Sequence, residues 1–539
     1  MRGTNRPPRL RRLSATGLLA AALLVIGGLP VPAGASGPLP TGPGVSGEMQ
    51  ISPNDGNVYE TVSAAIDPND PATIVAGADS WVSPYDGSSS YLRPVQVFGT
   101  SNGGTSWSSP SSLPPTPTLP YNVSAAEGRF PSLAINASGV TYAGSIAMHG
   151  GFHPAPSPSL VTRSANHGTT WGSQALISQD PTAWGATLIA DQSASAYRNR
   201  VYAWQSIACC PDSPNPYMYM YVARSDDGSN WASTQVSSTG GGVNPVVGSD
   251  GTVYVGVGGA SANQVVITKS TDGGVTFGAP GSAVTFAMPQ SAAVLPNFGT
   301  PNCSSYISPN MSLAVDRTQG VNDGNLYLVW ADNPNPPHVH IYFARSTDRG
   351  ATWSTPVQID TGNANDAWEP ALSVDDAYGT VVLSWYDRRD DLGNKYYRIY
   401  YTQSTDGGAT FLPSQIAVSR AQADPTTNCT ATGFSASIVA SHGIAHPFWT
   451  DSRSGTNEIF TARVSELAIL RSFRRAPAPA GSPTPWKPRL ATTPPPTSAA
   501  ISQRGRPVLG SVPGSWTSTR SPAVRVSGCG TGCSSMRLR

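Results

Sequence analysis

Short runs of small and apolar residues recur along this chain, spaced by polar turns, and each run is too short for a helix of ordinary length. One set reads Phe130-Pro-Ser-Leu-Ala-Ile135, Met311-Ser-Leu-Ala-Val315 and Pro370-Ala-Leu-Ser-Val374. A polar turn such as Asp316 to Gly324 follows, then a second run, Leu326-Tyr-Leu-Val-Trp330 or Val381-Val-Leu-Ser-Trp385. A third run is His340-Ile-Tyr-Phe-Ala344 or Arg398-Ile-Tyr-Tyr-Thr402, and a fourth is Pro356-Val-Gln-Ile359. Runs of this length, rich in β-branched and aromatic residues and bounded by turn residues, predict strands. Four of them in fixed order make a unit. Seven such units can be counted. The last has runs near Phe434 to Val439, Pro447-Phe-Trp449 and Glu458-Ile-Phe-Thr-Ala462, and lacks a fourth.

The turn between the third and fourth runs carries its own motif. Ser270 to Phe277, Ser346 to Trp353 and Ser404 to Phe411 match S-x-D-x-G-x-T-[WF] in full. Thr100 to Trp107 and Ser164 to Trp171 carry Asn102 and Asn166 in place of Asp, and Arg224 to Trp231, with Asp226 at that position, lacks the opening hydroxyl. An Asp or Asn here bonds backbone N–H groups farther along the turn. The Gly takes positive φ, and the closing ring pins the hairpin to its neighbour. Asn102, Asn166, Asp226, Asp272, Asp348 and Asp406 are therefore read as structural.

This eight-residue turn resembles the Asp box, or BNR repeat, of the sialidase-like β-propellers. Order-preserving repeats of four-stranded units predict an all-β fold, a single propeller. Seven blades are favoured, with six, as in the sialidases themselves, as the alternative. The segment Glu48-Met-Gln-Ile-Ser52 resembles a displaced fourth strand. Pairing it with the last unit would close the ring and remove two sheet edges.

Composition divides the chain further. Arginines at 2, 6, 9, 11 and 12 precede an apolar run from Leu13 to Leu29 and a small-residue site at Ala33-Gly-Ala35. This pattern predicts a secretory signal over residues 1–35 and an exported, extracellular protein. Residues 36–47 form a short linker, 48–464 the propeller and 465–539 a Pro/Arg-rich tail expected to be disordered. The formal net charge of +1 conceals a body of 17 basic and 31 acidic residues over 36–465. An acidic body argues against nucleic acid as a partner. No other apolar run is long enough to span a bilayer, and a monomer is expected. In an exported protein Cys209, Cys210, Cys303 and Cys429 suit disulfide bracing of loops.

Candidate chemistry clusters where a fourth strand leads into the next first strand. Glu60, Glu127 and Glu369 fall there, as do Arg129, Trp184, Asn244, Asn310, Trp368 and Phe434. Carboxylates, amides and indoles gathered at one axial mouth suit sugar binding, and a carboxylate pair could perform glycosidic acid–base work. The competing reading is that these residues cap and pin strand ends. A W-x-D pattern recurs after the second strands: Trp330-Ala-Asp332, Trp385-Tyr-Asp387-Arg-Arg389 and Trp449-Thr-Asp451-Ser-Arg453. Its recurrence favours structure, whereas Arg388, Arg389 and Arg453 could instead hold a carboxylate ligand in forked hydrogen bonds.

The resemblance implies a glycoside hydrolase acting on glycans or glycoconjugates at the axial mouth. Sialidases use an arginine triad on the substrate carboxylate, a Tyr–Glu nucleophile pair and an Asp acid/base. Arg129-Phe-Pro131 echoes the family's Arg-Ile-Pro entry motif, and Tyr59 and Glu60 are adjacent. The alternative is a non-catalytic propeller that binds a glycan or a protein. No cofactor is implied, and neither structural Ca²⁺ nor another metal is indicated. The pairs His149/His153 and His338/His340 offer no evident third ligand.

Overall fold

A computed structural model describes residues 44–466, apart from 83–91, 116–127, 148–157, 179–182, 210–216, 239–241, 260–262, 288–292, 295–305, 308–309 and 426–435. The segments read from the sequence as a signal (1–35), most of the linker and the tail beyond Glu466 lie outside the described residues, as do Glu127, Phe434, His149, His153, Cys210, Cys303 and Cys429.

Seven four-stranded antiparallel sheets follow one another along the chain. The protein is a seven-bladed β-propeller, and the six-blade alternative is excluded. In blade 1 the strands are Asn57–Asp67, Asp70–Val82, Leu92–Thr100 and Ser111–Ser112, from the axis outward. Blades 2 to 6 repeat this order, and a two-stranded hairpin (Ala293–Val294 with Tyr306–Ile307) precedes blade 5. Blade 7 supplies Ala436–Ser441, Ile444–Asp451 and Glu458–Ser465 from the C-terminal end, and takes its outer strand, Gly44–Gln50, from the N-terminal end. The closing strand thus starts four residues before Glu48. It crosses a register shift between Ser46 and Met49, where Gly47 adopts a φ of +62°. A glycine there lets the strand kink and keep pairing.

Second strands are the buried middle of each blade. Leu326–Asp332 and Val381–Asp387 are buried at every residue. Such strands read as continuous apolar runs because both faces are covered by neighbouring blades. The core is accordingly a set of inter-blade layers, such as the one joining Tyr327, Phe343, Leu383 and Tyr401.

The Asp boxes sit at the turns between third and fourth strands and lock each blade to the one before it. Asp272 Oδ1 accepts from the backbone N–H groups of Val275 and Thr276 at 3.0 and 2.9 Å. The opening Ser270 hydroxyl accepts from Gly274 N–H at 2.8 Å. Ser346/Asp348 and Ser404/Asp406 repeat these bonds, and Asn102 and Asn166 accept from the same backbone positions through their amide oxygens. The closing rings reach the preceding blade: Phe411 meets Phe343 edge-on at 4.9 Å, and Trp107 of blade 1 meets Phe448 of blade 7 at 5.6 Å.

The third-blade box corrects the sequence reading. Its acid is Asp227, not Asp226, and its opening hydroxyl is present as Ser225. Ser229 and Asn230 donate backbone N–H groups to Asp227 at 2.8 Å each, and Gly228 N–H donates to Ser225 Oγ at 2.8 Å. The turn is one residue shorter between Asp and Gly, so an alignment anchored on Trp231 slips by one. Asp226 instead holds the Arg200 fork in two bonds of 2.7 and 2.9 Å.

Candidate functional site at the axial mouth

The site begins with a backbone irregularity repeated around the ring. Five first strands lose register with their partners at equivalent points: between Glu60 and Ser63, Arg129 and Ser132, Trp184 and Thr187, Val243 and Val246, and Trp368 and Ala371. Each is a β-bulge, in which extra residues bend the strand and re-aim side chains. Positive φ marks Thr61 (50°), Phe130 (54°), Gly185 (96°) and Glu369 (49°), and Asn310 (23°) holds the corresponding place in blade 5. For residues such as Thr, Phe and Glu this conformation is costly, of the order of 1–3 kcal/mol each. Its repetition shows that the ring's geometry demands it.

The bulge sorts adjacent residues to opposite sides, as strand alternation requires. Thr61, Phe130, Asn244, Asn310 and Glu369 line an axial channel of about 830 Å³, walled by the first strands of all seven blades. The residues one step earlier turn into the blades. Glu60 is fully buried, and Asn457 of blade 7 donates from Nδ2 to its Oε1 at 2.7 Å. Trp368 is also buried, stacked on Tyr386 at 5.3 Å and edge-on to Tyr397 at 5.8 Å. Neither reaches the channel. Gathering Glu60, Trp368 and Glu369 in one pocket, as the sequence reading did, overlooks this parity. Arg129 and Trp184 have their backbones in strands Gly128–Ile135 and Ala183–Ala190, but their side chains are outside the described residues.

Glu369 is the one described carboxylate at this end of the channel. It is half-buried, and Asn310 of the neighbouring blade donates to Oε1 from Nδ2. Burial strips water from the carboxylate and pushes its pKa up to about 8, against the lowering effect of the Asn310 bond. The acid is therefore held largely protonated at neutral pH. Side chains from one first strand also reach the backbone of the next: Leu133 N–H donates to Ser63 Oγ at 3.1 Å, and Leu188 N–H to Ser132 Oγ at 2.8 Å.

The arginines after the second strands are committed to the fold. Trp385 donates from its indole nitrogen to Asp387 at 2.8 Å, and Arg389 returns to the same carboxylate through Nε at 2.9 Å and Nη2 at 2.6 Å. Blade 7 repeats the module with Trp449, Asp451 and Arg453 at 2.8, 2.9 and 2.6 Å. Arg389 lies over the Tyr400 ring and Arg453 over Phe460, and Arg453 Nη1 also reaches Glu48 of the closing strand at 2.8 Å. Arg388 is fully buried, 3.3 Å from Asp366 and over the Trp368 ring. A forked ligand contact from these three arginines is thus displaced by intramolecular pairs, which is the structural reading of the repeat. His338 and His340 likewise face Asp366 and Asp360 at 3.2 and 2.8 Å. No cluster of three metal-ligating side chains occurs among the described residues.

The chain is similar in structure to sialidases and to propeller arabinofuranosidases. A protein of unknown function from Dyadobacter fermentans matches with a TM-score of 0.44 and 13% identity, over 79% of this chain and 99% of that one. The NanB sialidase of Streptococcus pneumoniae matches at 0.38 and 12%, over 79% and 70%. The GH93 α-L-arabinofuranosidase of Fusarium graminearum matches at 0.39 and 12%, over 78% and 98%. No protein-family model and no curated protein sequence matches the chain. These likenesses concern fold, and the chemistry of the site stands on this chain's own residues.

The far end of the channel is bridged. A contiguous cavity of about 610 Å³ opens toward the Asp-box face. There Arg317 of blade 5 forks onto Asp376 of blade 6 and donates from Nη1 to Gln192 Oε1 of blade 3 at 2.9 Å. This cross-channel strap went unread in the sequence because its three members are 125 and 59 residues apart. The bulge ring also escaped notice.

Proposed function

We propose that the protein is an exported, monomeric glycan-binding propeller whose ligand enters the axial channel at the bulge ring and meets Glu369 and Asn310. The observation that carries this reading is the chemistry of the channel wall. It presents Ser63, Ser132 and Ser373 hydroxyls, the Asn244 and Asn310 amides and a carboxyl group held neutral, beside the Phe130 ring. Hydroxyls and amides match sugar hydroxyls, and a concave site of this size suits one or two sugar rings. The pairs described above leave Arg388, Arg389 and Arg453 to the scaffold.

A second reading is glycoside hydrolysis. It is favoured by one observation: a carboxyl group that keeps its proton to about pH 8 is suited to donate it to a leaving oxygen. One experiment addresses both readings. A glycan-array screen of the full chain, paired with fluorogenic sialoside and neutral glycoside assays, should give binding to neutral glycans that Glu369→Gln weakens without lowering the melting temperature. Turnover lost in Glu369→Gln would move the assignment to the hydrolase. An absence of glycan binding and turnover in the parent would defeat both.

A further inference from the structure

The first strand of each blade faces the axis, and its inner edge has no further strand to pair with. One position in these strands closes the seam to the following blade. Ser63 of blade 1 accepts from Leu133 N–H of blade 2 at 3.1 Å, and Ser132 of blade 2 accepts from Leu188 N–H of blade 3 at 2.8 Å. Asn244 of blade 4 does the same for Leu313 of blade 5 through Oδ1, and returns Nδ2 to the Leu313 carbonyl, at 3.4 Å each. The side chain thus supplies an acceptor to an amide that the strand ladder leaves over. Blades 5 and 7 also carry serine at this place, Ser312 and Ser437, and blade 3 carries Thr187. The blade 4 residue that Thr187 would serve is Pro245, which has no amide hydrogen to give.

Blade 6 breaks the series. Ala371 is the first residue past its bulge, as Ser63 and Ser132 are past theirs, and it has no side-chain oxygen. The amide that this position serves belongs to Ile438, which precedes the turn of blade 7 as Leu133 precedes that of blade 2. The seam between blades 6 and 7 therefore has a donor and no side-chain acceptor. Ala371, Ser437 and Ile438 all line the axial channel. Hydroxyls surround the gap. Ser312 on one side, Ser437 on the other and Ser373 deeper on the Ala371 strand are partly exposed and make no hydrogen bond to any described residue. Glu369 stands on the same strand toward the mouth.

We propose that the gap at Ala371 takes the exocyclic hydroxymethyl group of a hexopyranose, an inference that rests on the glycan reading given above. The serine that other blades carry here is itself a hydroxymethyl group on the strand, and the sugar's arm brings the same group from the channel side. Its oxygen accepts from the Ile438 amide and exchanges hydrogen bonds with the Ser312, Ser437 and Ser373 hydroxyls, while the ring lies toward Glu369. A ring hydroxyl is a poorer fit, because it carries the bulk of the ring with it. A primary hydroxyl on a methylene arm can lean into the wall. A site whose polar groups are left unpaired by an analogue lacking the hydroxyl discriminates against that analogue. The gap thus selects hexoses over pentoses and 6-deoxy sugars of the same ring configuration.

The test is a series of dissociation constants for the full chain, measured by ligand-observed NMR with methyl glycosides in matched sets. One set is methyl glucoside, methyl xyloside and methyl 6-deoxyglucoside. The other is methyl galactoside, methyl arabinopyranoside and methyl 6-deoxygalactoside, each set in both anomers. In at least one set the hydroxymethyl member should bind about tenfold tighter or more than its counterparts. Ala371→Ser should bring that member down to the level of its counterparts and leave theirs unchanged. Its melting temperature should stay at or above the parent's, because the serine oxygen fills the gap itself. The proposal alone is overturned if the glycosides bind without this preference, if array glycans bind and none of these glycosides does, or if Ala371→Ser keeps the preference. If the parent binds no glycan at all, the glycan reading falls and takes the proposal with it. The comparison among sugars on the parent protein decides the matter even if the variant fails to fold.

Discussion

Trp368 and Glu369 are neighbours in sequence and belong to different parts of the molecule. Trp368 enters a layer with Tyr386, Tyr397 and the buried Arg388. Glu369 turns, through a backbone at φ +49°, into the axial channel toward Asn310. The same division separates the two faces of the propeller. Where a motif repeats, as in the Asp boxes and the Trp-Asp-Arg modules, its polar groups bind one another and the fold is what they serve. Where the bulge recurs but the residue changes, from Thr61 to Phe130 to Gly185 to Glu369, the backbone is common and the chemistry is local. Repetition marks scaffold, and variation on a repeated backbone marks the candidate site.

The sharpest way to break this division is to attack the buried layer. Asp366 accepts from Val339 N–H at 3.1 Å and Asn394 Nδ2 at 2.6 Å and faces Arg388. Asp366→Ala would leave Arg388 buried without its carboxylate and should cost about 3–5 kcal/mol in denaturant unfolding. Trp368→Ala should cost a similar amount, about 3–5 kcal/mol, as a large-to-small core change. A Trp368→Ala protein of parental stability would place that ring in the channel after all. Next in size is Gly242→Ala. A Cβ there would fall 1.7 Å from the Trp204 ring in the channel wall, and overpacking should cost about 1–3 kcal/mol by the same measurement.

Much of the fold was legible because the blades repeat. Seven strand units and the box spacing were enough to count the ring, and the displaced N-terminal strand was visible as Met49 and Ile51 without a partner unit. The box of blade 3 was misread by one residue because Trp231 drew the alignment, while the shorter turn moved Ser225 and Asp227 relative to it. The site was less legible. A bulge has no composition of its own, so a reader cannot know from Ala367-Trp368-Glu369-Pro370 which of the two side chains faces the axis. The Arg317 strap is legible only in three dimensions, since blade 5 reaches blade 3 across the channel.

Smaller effects sharpen the comparison from the scaffold side. Asp348→Ala should cost about 1 kcal/mol, the net worth of an exposed hydrogen-bonded turn, with glycan binding unchanged by isothermal titration. Hydrogen bonds from Thr352 lead the effects that hold the Asp348 carboxyl down to about 2. A depressed folded pKa contributes stability above about pH 4 that is lost as pH falls toward 2. The difference in stability between the parent and Asp348→Ala should shrink across that window in acid-unfolding curves.

Glu369 has the opposite sign. Its folded pKa of about 8 lies above the usual glutamate value of 4.5. Stability is then full below about pH 4.5 and lost as pH rises through 8. Unfolding curves of Glu369→Gln should gain on the parent as pH rises from 5 to 9, since the amide has no proton to lose. Glu458 and Glu466 are raised as well, to about 7 and 8, so the difference between the two proteins, rather than the parent curve, isolates Glu369.

The most direct measurement sets the two neighbours against each other. Binding isotherms for the best glycan from the array, taken on Trp368→Phe and Glu369→Gln beside the parent, should show affinity kept in the first and lost by tenfold or more in the second. Melting at pH 7 should show stability reduced in the first and equal to or above the parent's in the second. The reverse pattern, with affinity lost in Trp368→Phe and kept in Glu369→Gln, would contradict the assignment of Glu369 to the channel chemistry and Trp368 to the core.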